Sequence, residues 1–229
     1  MKKLTAILAA TVLAGGISAM AGQIKLGNGV GGNTQPLLGG GVFNATFKSP
    51  TIQGFKTYCL EITEKVKFDY WYNYTINNAA VGGGLDSDTT TPGYDILSKG
   101  TAYIFTKYGQ AANTEKTANA VQWVIWYLED EFVYNGTTIT AAILDSKTDG
   151  LYTQYLNEAL AKGGKANIAA DSHVKALNLS VSSPGADGLQ PRLGLNRQDV
   201  LITVPDGGMM LVLLGAGLTA VGVARRRLA

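Results

Sequence analysis

The stretch NTEKTANAVQWVIWYLEDEF, residues 113–132, has the strongest helical pattern in the chain. Asn113 or Thr114 can cap its start, and apolar residues then recur every three or four positions, as on the buried face of a helix. Gln122 lies on or beside this apolar stripe. A buried amide is costly unless it is bonded to something. The sequence therefore predicts a long helix carrying a polar group that needs a partner.

A second stretch, TYCLE at residues 57–61, contains Cys59, the only cysteine of the chain. A disulfide within the chain is impossible, and a lone thiol needs an explanation in a chain whose two ends, described below, predict export. One hypothesis accounts for both features: the Cys59 thiol has displaced ammonia from the carboxamide of Gln122 and left an internal thioester. The alternative for Gln122 is an amide at the edge of the core that bonds only to backbone.

These two stretches resemble the motifs of the bacterial surface thioester domains. Residues 58–61 match an aromatic–Cys–apolar–acid motif. Residues 121–126 match an apolar–Gln–x–x–apolar–Trp motif, although members of that family often have Ala where this chain has Val124. Residues 101–105 resemble a segment that recurs between the two motifs. The resemblance covers roughly residues 40–204.

The resemblance implies that Cys59 and Gln122 form a side-chain thioester that captures amines on a target surface. It also implies an α+β fold, namely a β-sandwich or partial β-barrel with a helical insertion. The residues expected to line the site are Tyr58, Glu61, Trp123 and Trp126. The carboxylate of Glu61 would help to activate the amine, and the indoles of Trp123 and Trp126 would shield the thioester or form its rim. Such a reaction is used once, so we expect an adhesin rather than an enzyme, with no cofactor or metal.

Other secondary structure follows from the periodicity of apolar residues. Strands are predicted at residues 42–48, 55–62, 66–76, 177–181 and 200–204, and further helices at residues 96–108 and 151–162. The strand at residues 66–76 has an aromatic stripe on one face. We interpret the stripe as the buried face of a strand; a sugar-binding surface is the alternative.

The first 21 residues have the pattern of a secretory signal peptide. Lys2 and Lys3 precede an apolar run at residues 4–17, and Ala19-Met20-Ala21 provides a cleavage site for signal peptidase. An uncleaved anchor is the alternative. Cleavage would leave an extracellular domain at residues 22–204.

Residues 205–229 are predicted to form a sorting signal. The motif residues are Val204, Pro205, Asp206, Gly207 and Gly208. An apolar run at residues 209–224 and three arginines follow, as in a short transmembrane helix with a cytoplasmic basic end. The arrangement resembles the PEP-CTERM and VPDSG-CTERM signals that exosortases process. It implies export to the cell envelope, surface or matrix, with transient anchoring in the inner membrane; a permanent anchor is the alternative.

Composition excludes one class of partner. The formal net charge is +2, and the two terminal segments hold five of the positive charges, so the domain between them is slightly acidic. We therefore expect no nucleic-acid binding.

Two further functions remain open at this point. The first is a non-covalent matrix or biofilm component in which Cys59 is a small buried hydrophobe. The second is a cysteine hydrolase that pairs Cys59 with His173, the only histidine. No signature of the known cysteine proteases surrounds Cys59.

Overall fold

The computed structural model describes residues 22–30, 41–48, 54–81, 94–131, 133–134, 137–138, 140–189 and 195–204. The predicted signal peptide and the predicted membrane helix at residues 209–224 lie outside these ranges. The described strands are β1 (Gln23–Asn28), β2 (Phe43–Phe47), β3 (Phe55–Thr57), β4 (Tyr72–Asn77), β5 (Ala79–Val81), β6 (Tyr94–Ile96), β7 (Val133–Tyr134), β8 (Thr137–Thr138), β9 (Val174–Ser180) and β10 (Val200–Thr203). The described α-helices are α1 (Lys99–Ile104), α2 (Glu115–Leu128), α3 (Ala141–Thr148) and α4 (Leu151–Ala161).

Six strands form one antiparallel sheet in the order β10–β9–β4–β1–β2–β3. Strand alternation supplies its buried face: in β2, Phe43, Ala45 and Phe47 are buried and the residues between them are exposed. The two edge strands meet just after β3, where Cys59 forms a β-bridge with Val200 of β10. The sheet is therefore nearly closed. Within the described ranges this mixed α/β architecture corresponds to the expected partial barrel rather than to a two-sheet sandwich.

The helices form the expected insertion, between β6 and β9. At its centre is α2, which packs against α1, α3 and α4. The sequence predicted an amphipathic helix, yet every residue from 118 to 126 is buried. A helix that is buried all round lies inside the core. This position allows Gln122 to reach the strands.

The ends of α2 have local causes. Thr114 caps the start as predicted: its side chain accepts a hydrogen bond from the Thr117 N–H, and the Thr117 hydroxyl accepts one from the Thr114 N–H. The predicted end at residue 132 was too late, because the helix stops at Leu128. Asp130 then has a left-handed backbone with φ of 58°, which a helix does not continue through.

The prediction of a strand at residues 66–76 was wrong in its first half. Strand β4 begins only at Tyr72, because Asp69 has φ of 58° and reverses the chain. Tyr72 and Tyr74 are buried, as the favoured interpretation of the aromatic stripe requires. Phe68 and Tyr70 pack partly buried against the same core from the turn.

Two other elements are shorter than predicted. The strand at residues 55–62 reduces to β3 plus the isolated bridge at Cys59. The helix at residues 96–108 begins at Lys99, after the Ser98 side chain has accepted a hydrogen bond from the Thr101 N–H, and its last turn is a π-helix at Phe105–Gly109. The helix at residues 151–162 is confirmed as α4. None of the helices in the described part of the chain is long and apolar enough to span a membrane.

Candidate functional site

Cys59 lies where the sheet nearly closes. The Leu60 N–H donates to the Asp199 carbonyl at 2.9 Å, and the Leu201 N–H donates to the Tyr58 carbonyl at 3.2 Å. These two backbone bonds hold residue 59 between them against β10. Cys59 forms no disulfide, and the residue is 5% exposed.

Gln122 projects from α2 onto residue 59 and is fully buried, with 0% exposure. The Cys59 N–H donates to Oε1 of Gln122 at 3.0 Å, and Nε2 of Gln122 donates to the Cys59 carbonyl at 2.8 Å. The carboxamide thus pairs with residue 59 as a neighbouring strand would. The structure brings together the two residues that the sequence hypothesis joined, across 63 positions of the chain.

The surroundings of Cys59 keep its sulfur protonated. Burial raises the pKa of the Cys59 thiol well above its ordinary value, and the nearby carboxylates of Glu64 and Glu61 raise the pKa further. A thiol of this kind is a poor spontaneous nucleophile, and its thiolate is a poor leaving group. Any acyl chemistry at Cys59 therefore needs a way to move protons.

Three carboxylates lie together near this part of the chain and form what we call the carboxylate cluster: Glu61, Glu64 and Asp199. One oxygen from each lies within 4.8 Å of the others. Glu61 and Asp199 are buried and Glu64 is partly buried. Burial is the main cause that raises the pKa of Glu64 to about 7, and it also raises the pKa of Asp199 well above its usual range.

Hydrogen bonds from neighbouring groups hold the backbone of Glu61 and the carboxylate of Asp199. Nε2 of Gln198 donates to the Glu61 carbonyl at 2.5 Å, and the Val81 N–H donates to the Asp199 carboxylate. Next to it, the Ile62 N–H donates to Oε2 of Glu131 at 3.1 Å. Oxygen donors at this spacing suit a hard cation, and equally suit shared protons. The expectation of a site without metal or cofactor stays a prediction.

Sequence reasoning singled out Glu61 from this group and missed the other acids. Glu64 follows Glu61 by three positions, but a Glu pair at that spacing is common on solvated segments. Asp199 is far away along the chain and reaches the site only because β10 closes onto the residues after β3. No local pattern signals such a contact.

The aromatic residues expected at the site are all buried. Trp123 and Trp126 are buried on α2, so they do not form an exposed rim, and their role as shields of the thioester stays a prediction. The Tyr58 ring packs edge-on against Phe105, and its hydroxyl donates to the Gly109 carbonyl at 3.1 Å. Tyr58 thus anchors the segment that carries Cys59 to the helical insertion.

His173 does not join Cys59. It is exposed, and its Nε2 lies 3.2 Å from the Thr106 hydroxyl oxygen. Cys59 by contrast is buried beside carboxylates that oppose a thiolate. The arrangement does not support the cysteine–histidine pair of a hydrolase.

Comparison with known proteins identifies the C-terminal segment. Residues 203–228 match the model of the VPDSG-CTERM motif. In this chain Val204-Pro205-Asp206 is followed by Gly207 where the name of the motif has Ser. Val204 is the one residue of the predicted motif that is described, and its N–H donates to the His173 carbonyl at 2.8 Å. The motif implies an exported cell-surface protein that an exosortase-type enzyme processes.

Among solved structures, the chain is similar to the N-terminal thioester domain of fibronectin-binding protein SfbI from Streptococcus pyogenes. The identity is 12%, the match covers 82% of this chain and 95% of that chain, and the TM-score is 0.41. No curated protein sequence matches this chain significantly.

Proposed function

We propose that this exported surface protein forms an internal thioester between Cys59 and Gln122 and uses it to capture an amine on a target, so that it adheres covalently. The observation that carries the proposal is the paired contact between the Gln122 carboxamide and residue 59 in a buried site. The sequence motifs around both residues support the same chemistry. The sorting motif supports a location where a target surface is available.

Formation of the thioester is a balanced acyl transfer. Sγ of Cys59 bonds to Cδ of Gln122, the Cδ–Nε2 bond breaks, and the thiol proton is transferred so that ammonia leaves. The Cys59 N–H already donates to Oε1. Such a donor polarises the carbonyl and stabilises the oxyanion that develops on it. Burial of both residues excludes the water that would otherwise hydrolyse the product.

Capture of a target breaks the thioester bond between Cys59 and Gln122. An amine nitrogen bonds to Cδ of Gln122, the Cδ–Sγ bond breaks, and Cys59 is released as a thiol. The product is an amide between Gln122 and the target. The reaction consumes the thioester, so the protein acts once and is an adhesin rather than a turnover enzyme.

Intact mass of the purified protein tests the proposal directly. Loss of ammonia lowers the mass by about 17 Da relative to the sequence, and methylamine then adds its own mass. Cys59→Ala and Gln122→Ala should both show the full, unreduced mass and take up no methylamine. Gln154→Ala, a change of the same type at an exposed position of α4, should behave as the wild type. A full mass in the wild-type protein would refute the proposal.

One observation favours the non-covalent alternative, a structural component of the extracellular matrix. The oxygen and the nitrogen of the Gln122 carboxamide each have a hydrogen-bond partner in the backbone of residue 59. A buried amide satisfied in this way is stable as it is. In that case the wild type has its full mass, and the Cys59 thiol reacts normally once the protein is unfolded.

A further inference from the structure

Glu61 and Glu64 of the carboxylate cluster lie close enough to Cys59 for their charges to act on its thiol, and Asp199 belongs to the same cluster. Glu61 follows Cys59 by two residues, and the Asp199 carbonyl accepts the N–H of Leu60. The charges of Glu64 and Glu61 both act on the Cys59 thiol. The function proposed above assigns no role to Glu64 or Asp199, although burying several carboxylates together is expensive.

The chemistry of capture explains why acids would be useful there. When the Cδ–Sγ bond breaks, the sulfur must leave either as a thiolate or with a proton. The thiolate is strongly disfavoured at this position, because the sulfur is buried and faces negative charge. The attacking amine meanwhile carries a surplus proton after it bonds to Cδ. A group that accepts one proton and delivers another removes both difficulties.

The geometry points to the carboxylate cluster as a proton relay between the amine nitrogen and the sulfur of Cys59, with Glu64 as a member that the sequence did not reveal. The relay rests on the function proposed above. One ionised carboxylate takes the proton from the nitrogen, and one protonated carboxyl gives a proton to the departing sulfur. The products are an amide and a neutral thiol, and the number of protons on the cluster is unchanged. Thioester formation uses the same transfers in reverse, with ammonia as the amine.

The relay needs a cluster that is partly protonated near neutral pH. Three acids within 4.8 Å cannot all ionise easily in a buried site. The pKa of Glu64, raised to about 7, is consistent with a shared proton at neutral pH. The other groups that face Glu64 are Glu131 and Arg197. Arg197 is itself paired with Asp187, through Nε to Oδ2 at 2.5 Å.

The test follows the capture rate as a function of pH in the full-length processed protein. Methoxyamine is the probe, because it stays unprotonated between about pH 6 and 9 and its own ionisation does not contribute. Intact mass reports the fraction captured with time. In the wild type we expect the rate to fall at alkaline pH, as the cluster loses the proton that it must give to the sulfur.

Glu64→Gln separates a relay from a structural role. It should lower the rate at about pH 7 by roughly tenfold to a hundredfold and shift the alkaline fall to lower pH, because the two remaining acids repel each other less. Glu115→Gln, at the exposed start of α2, is the matched control and should leave rate and profile unchanged. Glu61→Gln should resemble Glu64→Gln.

The outcomes are distinct. A wild type of full mass refutes the thioester, and the relay with it. If the thioester forms, as shown by a mass lowered by about 17 Da, and the capture rate has the same pH profile in the wild type and in Glu64→Gln, the relay alone is refuted. Faster capture in Glu64→Gln also refutes it, because removing a negative charge would then merely make the sulfur a better leaving group.

Discussion

The contribution of the hydrogen-bonded pair between Gln122 and residue 59 to the free energy of unfolding can be measured without any thioester present. In a Cys59→Ala background no cross-link forms, and the Gln122 carboxamide keeps both bonds to the backbone of residue 59. Gln122→Met in that background keeps nearly the same side-chain volume and removes both bonds. It leaves one buried N–H and one buried carbonyl without their partner.

The expected cost follows from these two groups. Each buried polar group left unsatisfied costs about 1–3 kcal/mol, so the pair should cost about 2–6 kcal/mol. That is a large share of the roughly 5–15 kcal/mol by which a domain is stable. Urea unfolding of the single and double variants measures the difference, with an unchanged dependence on urea as the sign that the fold is the same.

The control is Gln154→Met in the same background, at an exposed position of α4. We expect it to change the free energy of unfolding by less than about 0.5 kcal/mol. A loss below about 1 kcal/mol for Gln122→Met would refute the reasoning. It would mean that water or another donor satisfies residue 59 as well as Gln122 does.

Three further predictions concern stability. Burial raises the pKa of Glu64 to about 7, above its unfolded value of about 4.3, so its contribution is favourable at acidic pH and is lost as the pH rises through about 7. Glu64→Gln should therefore be more stable than the wild type by about 1–3 kcal/mol at about pH 8 and as stable as the wild type at about pH 4. Urea unfolding at both pH values measures the difference. The same difference at the two pH values would contradict this prediction. Asp187→Asn should cost about 3–5 kcal/mol in thermal unfolding, because it removes the buried carboxylate that pairs with the guanidinium of Arg197, and a loss under about 1 kcal/mol would show that water or another acceptor replaces that carboxylate. Thr114→Ala removes the cap that pairs with Thr117 and should cost about 1 kcal/mol, whereas Thr114→Ser should cost little.

Several features were readable from residue types alone. The start of α2 was predictable because Thr114 can cap a helix and apolar residues follow at helical spacing. The contact between Gln122 and residue 59 was expected because the two stretches resemble the motifs of the bacterial surface thioester domains, and because a lone thiol and a buried amide each needed an explanation. The sorting motif was predictable because its residues are contiguous. In each case the information lies within a short stretch or in the identity of a side chain.

Local patterns failed where the chain changes direction. Residues 66–76 alternate as a strand does, yet Asp69 turns the chain and only the part from Tyr72 pairs in the sheet. Alternation records which side chains are apolar, and a turn that packs Phe68 against the core satisfies the same pattern. The burial of α2 on all sides between residues 118 and 126 was likewise hidden, because its polar positions there are covered by neighbours that the helix sequence does not specify.

The sequence by itself determined the start of the central helix, the capping of that helix, the sorting motif and the two residues of the proposed bond. Only the tertiary structure decided the order of the strands, the near-closure of the sheet, and the carboxylate cluster. Asp199 meets Glu61 because β10 returns to the edge beside β3. That contact depends on which distant strands bury the most surface together, and no stretch of the chain encodes it alone.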